Sequence, residues 1–193
     1  GEDRCVMEGK AFLVRFTTDW TCGLLWNKLY KRALFDGIFF EEGHKIDDEY
    51  FTYQGVMNAA KVVCDPRVVY NYRQRASSVM QSPAARAQIA IDRIDFMVKR
   101  REKVLERFPE LRREFDISFV DALSYLADYP DNTEESIRLL KYYARRYFLQ
   151  RGNTFLPRYL LRGILRVHLT GTKTILRRSE KNRKPVDTAG LFR

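Results

Sequence analysis

The longest regular pattern in the chain runs through residues 86–108, RAQIAIDRIDFMVKRREKVLERF. Apolar side chains recur there every three or four residues, which is the spacing of a helix packed on one face. The positions that carry the pattern are Ala87, Ala90, Ile91, Ile94, Met97, Val98, Val104, Leu105 and Phe108. The pattern predicts a long buried helix, around which other elements must pack.

The segments after this helix repeat the same spacing. Residues 110–127 predict a second helix, and Asp131-Asn132-Thr133 is a cap signal for a third. Gly152-Asn153 ends that helix, and Pro157 stands near the start of a last one that reaches about Arg178. We therefore expect the chain to be helical from residue 84 onward.

The segments before residue 84 mix helix and strand patterns. Ranges 8–19 and 24–35 predict short amphipathic helices, and 47–60 predicts a helix that begins with acidic residues. Range 38–40 is a short strand-like run, and 61–64 and 67–72 predict two neighbouring strands. The expected fold class is α/β and helix-rich, divided into segments 1–82, 83–152 and 153–193.

Charge is distributed unevenly along the 193 residues. The whole chain has 35 Lys and Arg against 25 Asp and Glu, a net charge of +10. Residues 1–150 hold 24 basic and 23 acidic residues, whereas residues 151–193 hold 11 and 2. A nearly neutral body with a basic tail argues against a protein that coats nucleic acid uniformly.

The basic tail contains an amphipathic pattern between residues 155 and 178. Arg158, Arg162 and Arg166 are four apart, with leucine and isoleucine side chains on another face. Such a helix suits the surface of an anionic membrane. The alternative is a helix that packs its apolar stripe on the body and leaves the arginines in water, and the sequence leaves both open.

The number of cysteines and the length of the uncharged runs limit the class of protein. The three cysteines form no CxxC, so no zinc signature is present, and their odd number excludes a complete disulfide framework. Free thiols in a reducing compartment are the simpler interpretation. The longest run without charge has 11 residues (50–60), while a spanning helix needs about 20. We therefore expect a cytoplasmic protein.

Three consecutive acids, Asp47, Asp48 and Glu49, follow the glycine loop at residue 43. Carboxylates this close repel one another, so one of them holds its proton more tightly and can serve as a general base. The alternative interpretation is structural. In it Asp47 caps a helix, and Asp48 and Glu49 occupy its solvated first turn.

Two further groups of side chains are candidates for binding. Arg73 and Arg75, with serines just after them, leave a predicted strand and can hold a phosphate, or they can simply be solvated. Trp26 and Tyr30 can stack on a sugar or a base, although aromatics four apart on a helix more often belong to a core.

Four segments in order carry a family resemblance: WNKLYKRALF (26–35), IFFEEG (38–43), DDEYFTY (47–53) and KVVCDPRVVYNYRQRASSVM (61–80). Together they resemble the second half of family-two inverting glycosyltransferases of the GT-A fold, the bacterial enzymes that build cell-surface polysaccharides. The resemblance covers roughly residues 5–82. It implies the C-terminal half of a GT-A domain followed by a helical C-terminal extension.

The resemblance implies roles for individual residues. Asp48 matches the catalytic base that deprotonates the acceptor hydroxyl. Asp47, which stands where the family usually has Glu, is expected to belong to the catalytic site with it. The remaining matches are expected to bind substrate: Trp26 and Lys28 near the acceptor and donor groove, Tyr72, Arg73 and Arg75 near the donor diphosphate, and Ser78. Ser77 replaces the usual Gly, and because Ser tolerates a positive φ less well than Gly, we expect a different turn there.

The resemblance also implies what this chain lacks. The family's Asp-x-Asp, which holds Mg²⁺ or Mn²⁺ on the sugar diphosphate, has no counterpart before residue 47. We therefore expect the C-terminal part of a longer enzyme, inactive alone, with no metal bound by this chain. Its expected partners are a nucleotide-sugar donor and a saccharide or lipid-linked acceptor, with no nucleic acid. The tail would place such an enzyme on the inner face of the membrane.

Two other interpretations remain from the sequence. One is a basic helical module that binds nucleic acid through the tail, although no helix-turn-helix, zinc-finger or RNP pattern is evident. The other is a helical domain that docks a partner chain through residues 84–150.

Overall fold

The computed structural model of the chain describes residues 4–68, 70–73, 75, 78 and 82–151. Their helices and strands follow in the order β1 (Cys5–Glu8), α1 (Gly9–Arg15), α2 (Asp47–Met57), β2 (Lys61–Cys64), α3 (Pro83–Arg107), α4 (Arg112–Ala127) and α5 (Glu134–Arg151). Short 3₁₀ turns occupy Trp20–Gly23, Arg32–Phe35 and Pro109–Leu111. The described fold is helix-rich with a small two-stranded sheet, in agreement with the coarse α/β prediction.

The predicted helices at 47–60, 86–108, 110–127 and after 131–133 are confirmed, and side-chain caps explain the starts of α3 and α5. At the N-terminus of α3 the Ser82 hydroxyl accepts the Ala85 N–H at 3.1 Å, and Pro83 occupies the first turn. Before α5, Thr133 Oγ1 accepts the Ser136 N–H at 3.2 Å. The Ser136 hydroxyl in turn accepts the Thr133 N–H at 2.9 Å. These reciprocal bonds satisfy two backbone donors that the helix itself leaves unpaired.

The predicted helix at 24–35 is wrong. Within it only Arg32–Phe35 forms a single 3₁₀ turn, and residues 24–31 run as turns and irregular chain. The Lys28 side chain donates to Leu24 O, the acceptor that a helix would give to the Lys28 backbone N–H, and also to Thr21 O. The helix predicted at 8–19 exists but ends at Arg15.

The predicted strand pairing is also wrong. Residues 38–40 form no strand, and neither do the described residues of 67–72. β2 pairs instead with β1 in antiparallel register, from Cys5 opposite Cys64 to Glu8 opposite Lys61. The turn after β2 is closed by Asp65, whose carboxylate accepts the Arg67 backbone N–H at 3.1 Å and its Nη2 at 2.7 Å.

Helix α3 is buried on two sides and forms the centre of the molecule. Ile89, Phe96 and Val104 contact a core cluster built from α1, α2 and the sheet. Ile94, Met97 and Val98 contact a second cluster built from α4 and α5. Ile89 and Phe96 lie outside the stripe that the periodicity indicated, because a helix covered from two directions hides more than one face.

Residues 152–193, and with them the predicted basic helix of 155–178, lie outside the described residues. In the part of the chain that the structure does describe, no helix combines the length and the apolar character needed to cross a bilayer.

Candidate functional site

The site is built where three separate segments meet: the irregular chain at 24–28, the start of α2, and residues 70–72 after β2. The Trp26 ring stacks on Tyr72 with centroids 5.2 Å apart and an interplanar angle of 12°. Tyr70 lies on Trp26 at 4.6 Å. All three rings are exposed, Trp26 to 39%. We call Trp26, Tyr70 and Tyr72 the aromatic platform.

The Lys28 ammonium bonds oxygen atoms of the chain that precedes and flanks Trp26. It donates to Leu24 O at 2.6 Å, to Thr21 O at 3.1 Å and to Asn27 Oδ1 at 2.6 Å. Three donors therefore meet three oxygens, which satisfies the ammonium within the protein. Burial lowers the pKa of Lys28 to about 8, against the opposing charges of groups that include Asp48.

Asp48 is the second residue of α2, and its side chain is partly buried. Burial raises the pKa of its carboxyl, and the negative charge of Asp47 adds to that effect. The backbone N–H groups of Glu49 and Leu25 donate to the carboxylate and oppose the rise in pKa. The bond from Leu25 ties Asp48 to the residue directly before Trp26.

Asp47 and Glu49 have different environments from Asp48. Asp47 is exposed, and its Oδ1 accepts the Asp48 N–H at 3.1 Å. It is not the helix cap, because Ile46 holds that position without a side-chain bond. Glu49 faces inward, and burial raises its pKa while the charges of Arg100 and Arg93 lower it.

The three acids therefore differ in solvent exposure: Asp47 is exposed, whereas Asp48 and Glu49 are partly buried. Asp48 and Glu49 do occupy the first turn of α2, as the structural alternative predicts, but their side chains are partly buried rather than fully solvated. In the described part of the chain no group of three or more His, Cys, Asp or Glu side chains converges in a way that could hold a metal ion.

The remaining predicted residues lie on the chain after the platform. Arg73 and Arg75 are exposed. Ser78 is partly buried, and its backbone N–H donates to Arg75 O at 3.0 Å. Of the predicted binding residues, Trp26 and Tyr72 contact each other, and Lys28 lies close enough to Asp48 to feel its charge. Tyr30 instead packs edge-on against Phe35 at 5.1 Å.

A buried polar cluster fastens the loop before α2 to α3. Asp92, which is 1% exposed, accepts the Lys45 backbone N–H at 2.6 Å and the Gln88 amide at 2.8 Å. His44 Nδ1 lies 3.2 Å from the Asp92 carboxylate. We call Glu41, His44, Asp92 and Lys99 the loop clamp.

The other side of the clamp lies nearer the surface. His44 Nε2 is 3.4 Å from Glu41, which also receives Lys99 at 2.6 Å. The His44 ring stacks on Tyr50 at 4.0 Å, and the Tyr50 hydroxyl donates to Asp92 O at 2.9 Å. This cluster was not predicted from the sequence. The sequence signal for it is an acid inside an apolar helix face, as at Asp92.

Comparison with known proteins adds no assignment. No family model matches the sequence, and neither a curated protein nor a solved structure matches it significantly.

Proposed function

We propose that the chain is the acceptor side of an inverting glycosyltransferase, part of a longer GT-A enzyme of polysaccharide synthesis. The observation that supports this proposal is the meeting of three segments that the family resemblance had marked separately. Asp48, Trp26 and Tyr72 are 22 to 46 residues apart in sequence, yet Trp26 stacks on Tyr72, its neighbour Leu25 bonds Asp48, and the charge of Asp48 acts on Lys28.

Asp48 is the general base in this proposal. Its carboxylate takes the proton of an acceptor hydroxyl as that oxygen bonds to the anomeric carbon of the donor. The bond from that carbon to the diphosphate breaks in the same step, and its electron pair leaves with the diphosphate. A raised pKa supports the role, because a stronger base draws the proton more effectively.

The aromatic platform provides the surface for a saccharide. Sugars present C–H groups on one ring face, and an exposed indole or phenol covers that face without needing hydrogen bonds. Trp26 is stacked between contacts with Tyr70 and Tyr72, and the backbone N–H of its neighbour Leu25 donates to Asp48. We therefore assign the platform to the acceptor or to the transferred sugar.

Lys28 acts as a positioning residue in this proposal. All three of its donors are engaged by Thr21, Leu24 and Asn27, so a direct contact with substrate would cost one of these bonds. Its positive charge favours the ionised form of Asp48, which is the form that accepts a proton.

Arg73 and Arg75 are exposed beyond the platform and suit contact with the donor phosphates. The family's Asp-x-Asp, which holds the divalent metal, has no counterpart before Asp47 in this chain, so no step is assigned to a metal here. The basic tail, with its proposed membrane contact at 155–178, belongs to the same proposal as a means of reaching a lipid-linked acceptor.

The test is Asp48→Asn in the complete enzyme that contains this chain. With a panel of nucleotide-sugars, transfer should fall by roughly 10²–10⁴-fold while donor binding, measured by calorimetry, stays unchanged. Asp47→Asn is the matched control and should retain transfer within a few-fold, because that carboxylate points to solvent. Retained turnover in Asp48→Asn, or an equal loss in both variants, contradicts the assignment of the base.

A further inference from the structure

Two of the three cysteines stand directly opposite each other in the sheet. Cys5 on β1 is the register partner of Cys64 on β2. Opposed residues of an antiparallel pair point to the same face, with Cα atoms about 4.5–5.5 Å apart. That separation lies within the range of about 4.4–6.8 Å that disulfides require. Fifty-eight residues separate the two cysteines along the chain, so their proximity arises only in the folded protein.

The two thiols are close enough to influence each other, and they differ in exposure. The Cys5 thiol adds to the rise that burial causes in the pKa of Cys64. Cys5 is exposed and accessible to a reagent in solution, whereas Cys64 is partly buried behind it. Cys22 is buried in the turn at Trp20–Gly23 and serves as an internal comparison.

A guanidinium lies against the inner sulfur. Arg15 Nη1 donates to Cys64 Sγ at 3.6 Å. Burial and the Cys5 thiol raise the pKa of Cys64, and Arg15 opposes both effects. Since the thiolate is the attacking species in disulfide chemistry, Arg15 keeps the second sulfur competent to react.

We propose that Cys5 and Cys64 form a redox-active pair that reacts with a small disulfide of the glutathione class. The Cys5 thiolate attacks one sulfur of that disulfide, which forms a mixed disulfide and releases one small thiolate. The Cys64 thiolate then attacks the Cys5 sulfur and releases the second. Two electrons pass from the cysteines to the small disulfide, and the two protons of the cysteine thiols go to solvent.

The cross-link would fasten the end of β2, from which the chain continues to Tyr70 and Tyr72 of the aromatic platform. An isolated two-stranded pair is only marginally stable by itself, so a covalent bond across it adds a constraint that the backbone bonds lack. The inference is independent of the proposed function, because it rests only on the sheet register, the proximity of the two thiols and Arg15.

The experiment treats the reduced native chain, and a Cys22→Ser variant, with oxidised glutathione. We expect both to lose two hydrogen atoms in intact mass, and peptide mapping to join Cys5 to Cys64. The midpoint of thermal unfolding should rise by roughly 5–10 °C. Dithiothreitol should reverse both changes.

Two variants identify the roles of the individual groups. Cys64→Ser should stop at the mixed disulfide on Cys5, because the resolving sulfur is absent. Arg15→Gln should slow closure several-fold without changing the end product. The proposal is overturned if the native chain stays reduced, if Cys22 appears in the linked peptide, if dimers are the main product, or if Arg15→Gln closes at the native rate.

Discussion

Asp47 and Asp48 are neighbours in the first turn of α2, and their environments are opposite. A carboxylate in that turn is favoured by the unpaired N–H groups and by the helix dipole, provided that water still solvates it. Asp47 meets this condition because it is exposed, whereas Asp48 is partly buried against the chain at Leu25. The same side-chain chemistry therefore stabilises the fold at one position and weakens it at the next.

Asp48→Asn should raise the free energy of unfolding at neutral pH. Burial lifts the folded-state pKa of Asp48 above its ordinary value of 3.8, so the neutral form is favoured in the folded protein. The native chain is then most stable, with respect to this group, below pH 3.8. It loses that contribution as pH rises through the folded pKa. Urea titrations at neutral and acidic pH should show a gain for the variant that disappears in acid.

Asp47→Asn is the matched control and should change stability in the opposite direction. Removing an exposed charge from the first turn should cost about 0.3–1 kcal/mol at neutral pH. A loss of stability in Asp48→Asn at neutral pH would contradict the assignment of Asp48 as a strained, partly buried carboxylate. A stabilising loss of a charged group is what a binding or catalytic position is expected to show.

At the scale of elements, the loop clamp determines where α2 begins. Residues 41–46 have no regular structure of their own, and their position depends on side-chain bonds to α3. Asp92 connects His44, the Lys45 backbone and Gln88 in a site that is almost fully buried. The start of the helix that carries Asp48 is thus fixed by a residue on another helix.

Asp92→Ala should destabilise the protein by roughly 3–5 kcal/mol, since it leaves buried donors without their acceptor. Amide exchange measured by mass spectrometry should rise most in residues 41–49. Glu102→Ala, an exposed acid on the same helix, should stay within about 0.5 kcal/mol. Unchanged exchange in 41–49 for Asp92→Ala would show that the clamp does not hold the loop.

Apolar spacing predicts some of the helices and strands of this chain and fails for others. Helices α3, α4 and α5 follow from apolar spacing and cap residues, because both signals are local. The chain at 24–31 has helical spacing too, but Lys28 takes the carbonyls of Thr21 and Leu24. No local pattern reveals that competition. The partner of β2 was equally hidden, since β1 lies more than fifty residues away and the turn at Asp65 suggested a hairpin.

The candidate site was also predictable only in part from the sequence. Asp48, Trp26, Lys28 and Tyr72 were found because the family resemblance marked them, and their proximity needed the fold. The inward side chain of Glu49 could not be predicted, because Arg93 and Arg100 belong to a helix whose packing on α2 is a tertiary event. The proximity of Cys5 and Cys64 depends on the same kind of long-range pairing.

Side chains of α3 belong to both core clusters, which lie mainly in two segments that were predicted to be separate. The predicted boundary between residues 82 and 83 falls at the start of a helix whose side chains enter both clusters. The ion pair between Arg101 of α3 and Asp116 of α4 at 2.6 Å joins helices within the second half. The Ser118 hydroxyl, from α4, donates to Thr17 O at 3.3 Å and reaches across to the first half.

Leu123→Ala tests whether this coupling makes one cooperative unit. Leu123 is 0% exposed in the second cluster, so the variant should lose roughly 2–5 kcal/mol of unfolding free energy. Both tryptophans, Trp20 and Trp26, lie in the first half, whereas most of the helix signal comes from α3, α4 and α5. If α3 transmits the loss, urea unfolding followed by tryptophan fluorescence and by far-ultraviolet circular dichroism should show the same lowered midpoint.

Arg138→Ala, an exposed change on α5, is the control. The unfolding free energy from either signal should stay within about 0.5 kcal/mol of the native value. A shift in circular dichroism alone would mean that α4 and α5 unfold independently, and the boundary near residue 82 would then separate two domains after all.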